Sequence, residues 1–369
     1  MKLIILKNNL KEGLGAVERA AQESVGLPIL KNILIQAENN GLKLTATNLE
    51  LAISCKLTGK IIKDGGLTVP AGTLSALINN VNNERISLEK RDNALLFKTD
   101  NYDAVIQGIS ESDFPIIPKI ENENEYLKIN SAVFKSALNK VINAAQFSDI
   151  RPEISGILID FQLDFLKLAA TDSFRLAEKI IPSSQFSTTN KRGFKIIIPL
   201  KTSHELLRLL KDDEPLFIYN DQNQAAFKFG DLEIISRLID GLFPDYNQII
   251  PAEFNSEVVV NKNQFIEALK LAGAFSGKSQ EVKLKSKNDK KVLEVFSADH
   301  SVGENHYLIP AKIKGDEFEV AFNRRYLLDG LKNHDSENII FGVNGDSKPS
   351  TAKTPNDSSF FYLLMPIKS

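Results

Sequence analysis

The sequence predicts an α+β protein of three repeated domains, each made of two β-α-β-β-β modules. Three observations carry this. Residues 2–7 (KLIILK), 126–130 (YLKIN) and 257–261 (EVVVN) begin alike, each a short strand running into an amphipathic helix. Further on, residues 42–48 (LKLTATN), 166–172 (LKLAATD) and 293–299 (LEVFSAD) match as alternating strands that end at a polar turn. Asn48 to Asp172 spans 124 positions and Asp172 to Asp299 spans 127, close to a third of the 369 residues. A period that long is a whole domain.

The elements follow in order. In the first helix Leu10, Leu14 and Val17 step i, i+4, i+7; Phe134, Leu138 and Val141 do so in the second domain, and Phe265, Leu269 and Ala272 in the third. Each set lies on one helical face. Each domain then doubles its module. The first gives a strand at 66–70, a helix at 71–81 and strands at 86–91, 94–99 and 103–110. The second gives a strand at 194–199, a helix at 200–211 and strands at 215–220, 223–229 and 232–238. The third gives a strand at 317–322, a helix at 323–332 and strands to the end. Six modules so poor in helix require largely antiparallel sheet. Proline-bearing connectors at 114–118 (FPIIP) and 243–251 (FPDYNQIIP) are repeat-equivalent, and proline suits an extended link. With the polar stretches beside them they place the domains at 1–122, 123–253 and 254–369.

Composition narrows the function. At 43% hydrophobic content the chain has material for a large core. Lys+Arg total 45 against 47 Asp+Glu, a net charge of -2, which excludes a grip on nucleic acid by bulk charge but leaves room for a local basic surface. A single cysteine, Cys55, excludes an intramolecular disulfide and fits a reducing cytoplasm. The four histidines and one cysteine argue against structural zinc. The apolar run Leu3-Ile4-Ile5-Leu6 is too short for a signal peptide, and no run approaches the roughly 18 residues that span a bilayer. A soluble, cytoplasmic protein is expected.

Catalytic motifs are absent at usable spacing. Asp299-His300, and His306 with Glu304, read as polar residues of a strand end and a loop. Cys55 reads as a small core residue. Asp160 and Asp172 are conceivable as the paired carboxylates of an acid-dependent nuclease, although hairpins routinely carry such acids at their ends. No catalytic residue, metal or cofactor is expected. Positive charge, however, recurs on the helices: Lys11 and Arg19; Lys135 and Lys140; Lys201, Arg208 and Lys211; Lys262 and Lys270; Arg324, Arg325 and Lys332. On one helix this is a solvated face. Recurring on five of six, it points to a shared surface facing phosphates without sequence readout.

Six ordered motifs then carry a resemblance. They are LPIL and NIL at 27–34, DIRP and SGIL at 149–158, ATDSFRLA at 170–177, FPDY at 243–246, FNRRYL at 322–327 and YLLMPI at 362–367. Over its whole length the chain resembles the bacterial DNA sliding clamps, the beta subunits of DNA polymerase III. The resemblance implies three clamp-type domains and a head-to-tail homodimeric ring, in keeping with heterologous contacts that close. It implies that the ring encircles double-stranded DNA, is opened by a clamp loader and tethers the replicative polymerase and other proteins carrying clamp-binding peptides. A near-neutral ring suits sliding, since strong phosphate contacts would brake it. DNA-facing positions expected from the charge pattern and the resemblance are Lys11, Lys135, Lys140, Lys201 and Arg208.

The resemblance also implies a peptide pocket between the second and third domains. Carried over, its residues are Ile154, Thr171, Ser173, Phe174, Arg175, Leu176, Pro244, Gln248, Ile249, Asn323, Tyr326, Leu363, Leu364, Met365, Pro366 and Ile367. The apolar members form a trough for aliphatic anchors, and Arg175 and Asn323 are expected to bond the peptide backbone. An ordinary final strand also explains residues 363–365, and alternation allows both. Ser173-Phe174 stands where the family often has Gly-His, Gln248 where a basic residue is frequent, Ser279 where an aromatic is, and Lys348 where the pocket is usually apolar. Ser24 stands where a basic residue often precedes LPIL. Removing residues 363–369 is expected to abolish binding of polymerase-derived peptides and leave the dimer largely intact. Two rival readings are a repeat-built scaffold that never encircles DNA and the nuclease using Asp160 and Asp172.

Overall fold

Each module starts with a strand that turns straight into a helix. In the computed structural model, which describes residues 1–38, 41–287 and 291–368, the first module is β1 (Lys2–Leu6), α1 (Lys7–Val17), β2 (Asn32–Glu38), β3 (Gly41–Thr47) and β4 (Leu51–Leu57), followed by the short β5 (Lys60–Lys63). The second is β6 (Gly65–Pro70), α2 (Ala71–Asn80), β7 (Arg85–Arg91), β8 (Ala94–Lys98) and β9 (Asp103–Gln107). The third is β10 (Leu127–Asn130), α3 (Ser131–Ile142), β11 (Gly156–Phe161), β12 (Phe165–Thr171) and β13 (Arg175–Pro182), then β14 (Phe186–Thr188). The fourth is β15 (Phe194–Pro199), α4 (Leu200–Leu209), β16 (Pro215–Asn220), β17 (Gln224–Phe229) and β18 (Leu232–Arg237). The fifth is β19 (Ser256–Asn261), α5 (Lys262–Ala272), β20 (Glu281–Lys287), β21 (Val292–Asp299) and β22 (Gly303–Gly315). The sixth is β23 (Glu319–Asn323), α6 (Arg324–Lys332), β24 (Asn338–Val343), β25 (Ser350–Thr354) and β26 (Asp357–Leu364).

Asparagine makes several of the strand-to-helix corners. The side chains of Asn130, Asn261 and Asn323 accept from the amides of Ala132, Gln264 and Arg325, at 2.8, 3.1 and 2.9 Å. Such caps satisfy amides that the first helical turn leaves without partners. The predicted apolar triplets point inward. Leu10, Val17, Phe134, Leu138, Val141, Phe265, Leu269 and Ala272 have no exposed surface, and Leu14 has 2%. Each buried leucine or phenylalanine contributes about 1.5–3 kcal/mol through burial.

The chain divides into two compact units. The first holds residues 1–132, 186–190 and 208–238, and the second 133–185, 191–207 and 239–369. The first contains a five-stranded sheet in the order β5-β1-β7-β8-β9 and a nine-stranded one, β14-β10-β16-β17-β18-β4-β3-β2-β6. The second contains the twelve-stranded β15-β11-β12-β13-β26-β25-β24-β19-β22-β21-β20-β23. All ladders between the described strands are antiparallel. Two differences from the sequence reading concern strand ends. β9 stops at Gln107 because Ile109, two residues on, exchanges both its backbone bonds with Thr68 of β6 (3.0 Å each). β22 runs unbroken for 13 residues, pairing first with β21 and then with β19, where the first and third modules use two shorter strands.

Candidate functional site

In the second unit a cleft of ≈ 750 Å³ opens beside the turn that joins β12 to β13. The Thr171 hydroxyl donates to the Arg175 carbonyl (2.7 Å) and accepts from the Ser173 amide (3.2 Å). Asp172 Oδ1 accepts from the amides of Phe174 and Arg175, at 2.9 and 3.0 Å. These bonds hold Ser173 at φ 77° and push the Phe174 ring outward, 61% exposed. The Met365 amide donates to the Phe174 carbonyl (2.8 Å), tying the end of β26 to this turn. The connector from Pro244 to Pro251, with a 3₁₀ turn at Asn247–Ile249, forms another wall.

Beneath lies an apolar floor in which Leu158, Ala169, Leu176, Ile197, Tyr246, Phe361 and Leu363 pack together. Tyr246 donates its hydroxyl to Glu178 Oε2 at 2.5 Å, and Lys167 Nζ is 3.2 Å from the same oxygen. Burial, then the neighbouring Glu178 charge, raises the Tyr246 pKa far above its ordinary value, so it stays a donor. Arg175 lies with its guanidinium carbon 4.2 Å from the centre of the Tyr326 ring, its Nε 2.9 Å from Asp172 and its Nη1 2.6 Å from Asp329. Burial opposes its charge, but Tyr362, Asp329 and Asp172 outweigh this and raise its pKa. Arg151 Nη1 donates to the Ser173 hydroxyl (2.9 Å) at the rim.

Of the expected pocket residues, Ile154, Thr171, Ser173, Phe174, Arg175, Leu176, Pro244, Gln248, Ile249, Leu363 and Met365 line this cleft. Asn323, Tyr326, Leu364, Pro366 and Ile367 are not in its lining. Asn323 caps α6, Tyr326 carries the Arg175 guanidinium, Leu364 is core at 1% exposure, Pro366 is buried, and Ile367 bridges to Ala321. Arg175 pairs its Nε with Asp172 and its Nη1 with Asp329 and lies on Tyr326, and Asn323 Oδ1 accepts from two helix amides, so both side chains also position the fold. The truncation at residue 363 needs correction. Leu363 pairs with both Leu176 and Thr351, so cutting there removes part of the β13-β26-β25 ladder.

Sequence reading missed Arg151, Asp245, Tyr246, Ile250, Pro251, Ala252, Glu253, Asn255, Asn344 and Pro349 as lining residues. Arg151 and Tyr246 already stood in the DIRP and FPDY motifs. Asn344 and Pro349 come from a loop with no signal of its own. Lys348, noted as a departure, is an exposed part of the lining, whereas Ser279 lies elsewhere and donates to the Ser276 carbonyl.

The positive helix positions divide. Lys11 and Lys201 are exposed and Lys135 is half-buried. Lys140 does not face solvent. It is 8% exposed, ion-paired to Asp335 and 5.3 Å from the centre of the Phe360 ring. Its expected DNA-facing place is therefore withdrawn, because burial against an acid and an aromatic ring consumes its charge. Arg208 donates to the Gly15 and Ala16 carbonyls, both at 2.9 Å, closing the last turn of α1.

The paired-carboxylate reading also fails. Asp160 is held by Lys195 of the neighbouring β15 (3.0 Å) and by Gln162 (2.8 Å), and Asp172 by Arg175 of its own turn, so each is already neutralised by a separate cation. His306 Nδ1 sits 2.8 Å from Glu294. Burial pushes the Cys55 thiol up to about 11, the behaviour of an inert core residue. Among the described residues no cluster of three His, Cys, Asp or Glu side chains is placed to hold a metal ion, and no helix is long and apolar enough to cross a membrane.

Three α+β domains of doubled β-α-β-β-β modules define the class of DNA clamps. The chain belongs to the DNA polymerase III beta subunit family: residues 1–118, 128–245 and 247–368 match its N-terminal, central and C-terminal domains. It is 29% identical to a beta sliding clamp of Synechococcus elongatus over all of this chain and 99% of that protein. It is 26% identical to that of Bacillus subtilis over the full length of both. The crystal structure of the DNA polymerase sliding clamp from Bacillus subtilis superimposes with a TM-score of 0.95, covering 100% of this chain and 99% of that one. The protein is thus a processivity clamp for DNA polymerase, and it is not an enzyme.

Proposed function

We propose that two copies close head to tail into a ring around duplex DNA, in the cytoplasm, and that the second-unit cleft docks peptides of the replicative polymerase, the clamp loader and other clamp-binding proteins. Domains at 1–122, 123–253 and 254–369 are part of this reading.

One observation carries it. β4 of the first unit pairs antiparallel with β18, and β13 of the second pairs in the same way with β26, Leu51 opposite Ser236 and Arg175 opposite Leu364. The repeat makes β22 the third counterpart of β4 and β13, and β9 that of β18 and β26. Yet β9 is the last strand of its sheet, and residues 303–310 of β22 pair only with β21 among the described strands. Two open, matching edges on one chain are what a second copy completes, and Val105 on β9 stands 60% exposed. In the shared register Glu304 of one copy falls opposite Val105 of the other.

Lys11, Lys135 and Lys201 are the positions proposed to face DNA. The net charge of -2 supports sliding over gripping. Negative-stain electron microscopy of the purified chain tests the ring. Rings with a hole wide enough for duplex DNA are expected, and Val105→Pro, which removes an edge donor, should convert them to single copies. Wild-type particles that remain single at high concentration would overturn the ring.

A further inference from the structure

We propose that the first unit carries a second peptide groove, selective for an extended peptide that alternates aliphatic anchors with lysine or arginine. This goes beyond the function proposed above and does not depend on it. A cleft of ≈ 690 Å³ opens there between the β3–β4 turn, the connector at 115–118 and the loop before β17.

Its β3–β4 turn repeats the β12–β13 turn of the second-unit cleft bond for bond. The Thr47 hydroxyl donates to the Leu51 carbonyl and accepts from the Leu49 amide, both at 3.0 Å. Asn48 Oδ1 accepts from the amides of Glu50 and Leu51, at 3.1 and 2.8 Å. Leu49 is held at φ 74°, as Ser173 is at 77°. A leucine strained into the left-handed region and left 46% exposed at a groove rim is a poor choice for stability alone. In the same lining, Ile116 on the connector is 94% exposed. At the floor, Ala52 and Ile235 take the places of Leu176 and Leu363, and the smaller alanine leaves depth for an anchor.

Charge sets the partner. Glu50, Glu121 and Asp221 line this groove against Arg237 alone, whose guanidinium is 3.8 Å from Glu50. In the second-unit cleft Arg151 and Lys348 balance Asp245 and Glu253, the Arg175 charge being spent on Asp172 and Asp329. The acidic rim of the first-unit groove favours cationic side chains beside the anchors, and the two grooves differ in charge.

The test uses intact protein and a fluorescein-labelled octapeptide alternating lysine and leucine, followed by anisotropy, with a glutamate–leucine octapeptide as control. The lysine peptide is expected to bind. Ile116→Ser, and separately Glu50→Lys with Glu121→Lys, should each weaken it by about tenfold. These side chains are exposed, so the fold should tolerate the changes. Phe174→Ser in the other cleft should leave this binding unchanged. Failure of the lysine peptide to bind, equal binding of both peptides, or sensitivity to Phe174→Ser alone would each overturn the proposal; the last would assign the peptide to the second-unit cleft.

Discussion

Arg175 lies flat on Tyr326, its guanidinium carbon 4.2 Å from the ring centre, and reaches Asp329 of the same helix at 2.6 Å. One side chain thereby joins the β12–β13 turn, through Asp172, to α6 in the sixth module. The wall of the cleft is held by a buried ion network, and its apolar members sit on a frame that charge keeps in place.

Removing that cation should therefore damage fold and cleft together. Arg175→Leu leaves Asp172, with a side chain only 2% exposed, without its partner. A loss of about 3 kcal/mol is expected in urea denaturation. Arg175→Lys should recover only part of this, because an ammonium cannot stack on Tyr326 and bridge two acids as a planar fork does.

Phe174 should behave in the opposite way. Its ring is 61% exposed, so Phe174→Ser is expected to change stability by no more than about 0.5 kcal/mol. Binding of a polymerase-derived clamp-binding peptide, measured by calorimetry, should nevertheless weaken by about tenfold or more. Unaltered binding would show that the cleft is not the docking site.

The cleft floor depends on one hydroxyl. Tyr246→Phe leaves Glu178, 5% exposed, without its 2.5 Å donor and with Lys167 as its remaining close partner. A loss of about 1–3 kcal/mol is expected, visible as a lowered melting temperature.

Acid should destabilise the second unit through His334. The ring is 1% exposed, its Nδ1 is 3.0 Å from the Thr354 hydroxyl, and Phe360 packs 4.8 Å away. Burial, then Lys140 and Lys262, lowers its pKa from 6.5 to about 4, against weaker opposing effects of Asp335 and Asp357. Between those values the unfolded chain binds the proton and the folded one does not, so stability falls as pH drops from 6.5 towards 4, by on the order of 3 kcal/mol. Urea titrations across that window should show the slope, and His334→Phe should flatten it.

Leu49→Gly should stabilise the first unit. The φ of 74° costs leucine about 1–2 kcal/mol that glycine does not bear, and the exposed side chain loses little burial. Allowing for the greater entropy glycine loses on folding, a net gain of about 0.5–1 kcal/mol is expected in the denaturation midpoint.

The repeat, the six modules and the inward faces of the helices were legible from the sequence alone. Apolar spacing in a helix, and alternation ending at an Asn or Asp in a hairpin, are local consequences of backbone geometry, so Leu10, Phe134 and Phe265 declare themselves without a partner in view. The resemblance carried over the cleft's central members, from Ile154 to Met365, because they sit in continuous motifs. Only the tertiary structure decided how each charge was spent. Lys140, Arg208 and Arg175 look alike as sequence, a cation on a helix or at a strand end. One is buried against Asp335 and Phe360, one closes a helix from residues 192 and 193 positions away, and one is shared between two acids and a ring. Apart from Asp172, their partners lie far along the chain, and a cation's range lets it choose any acid or carbonyl that folding brings within a few ångströms.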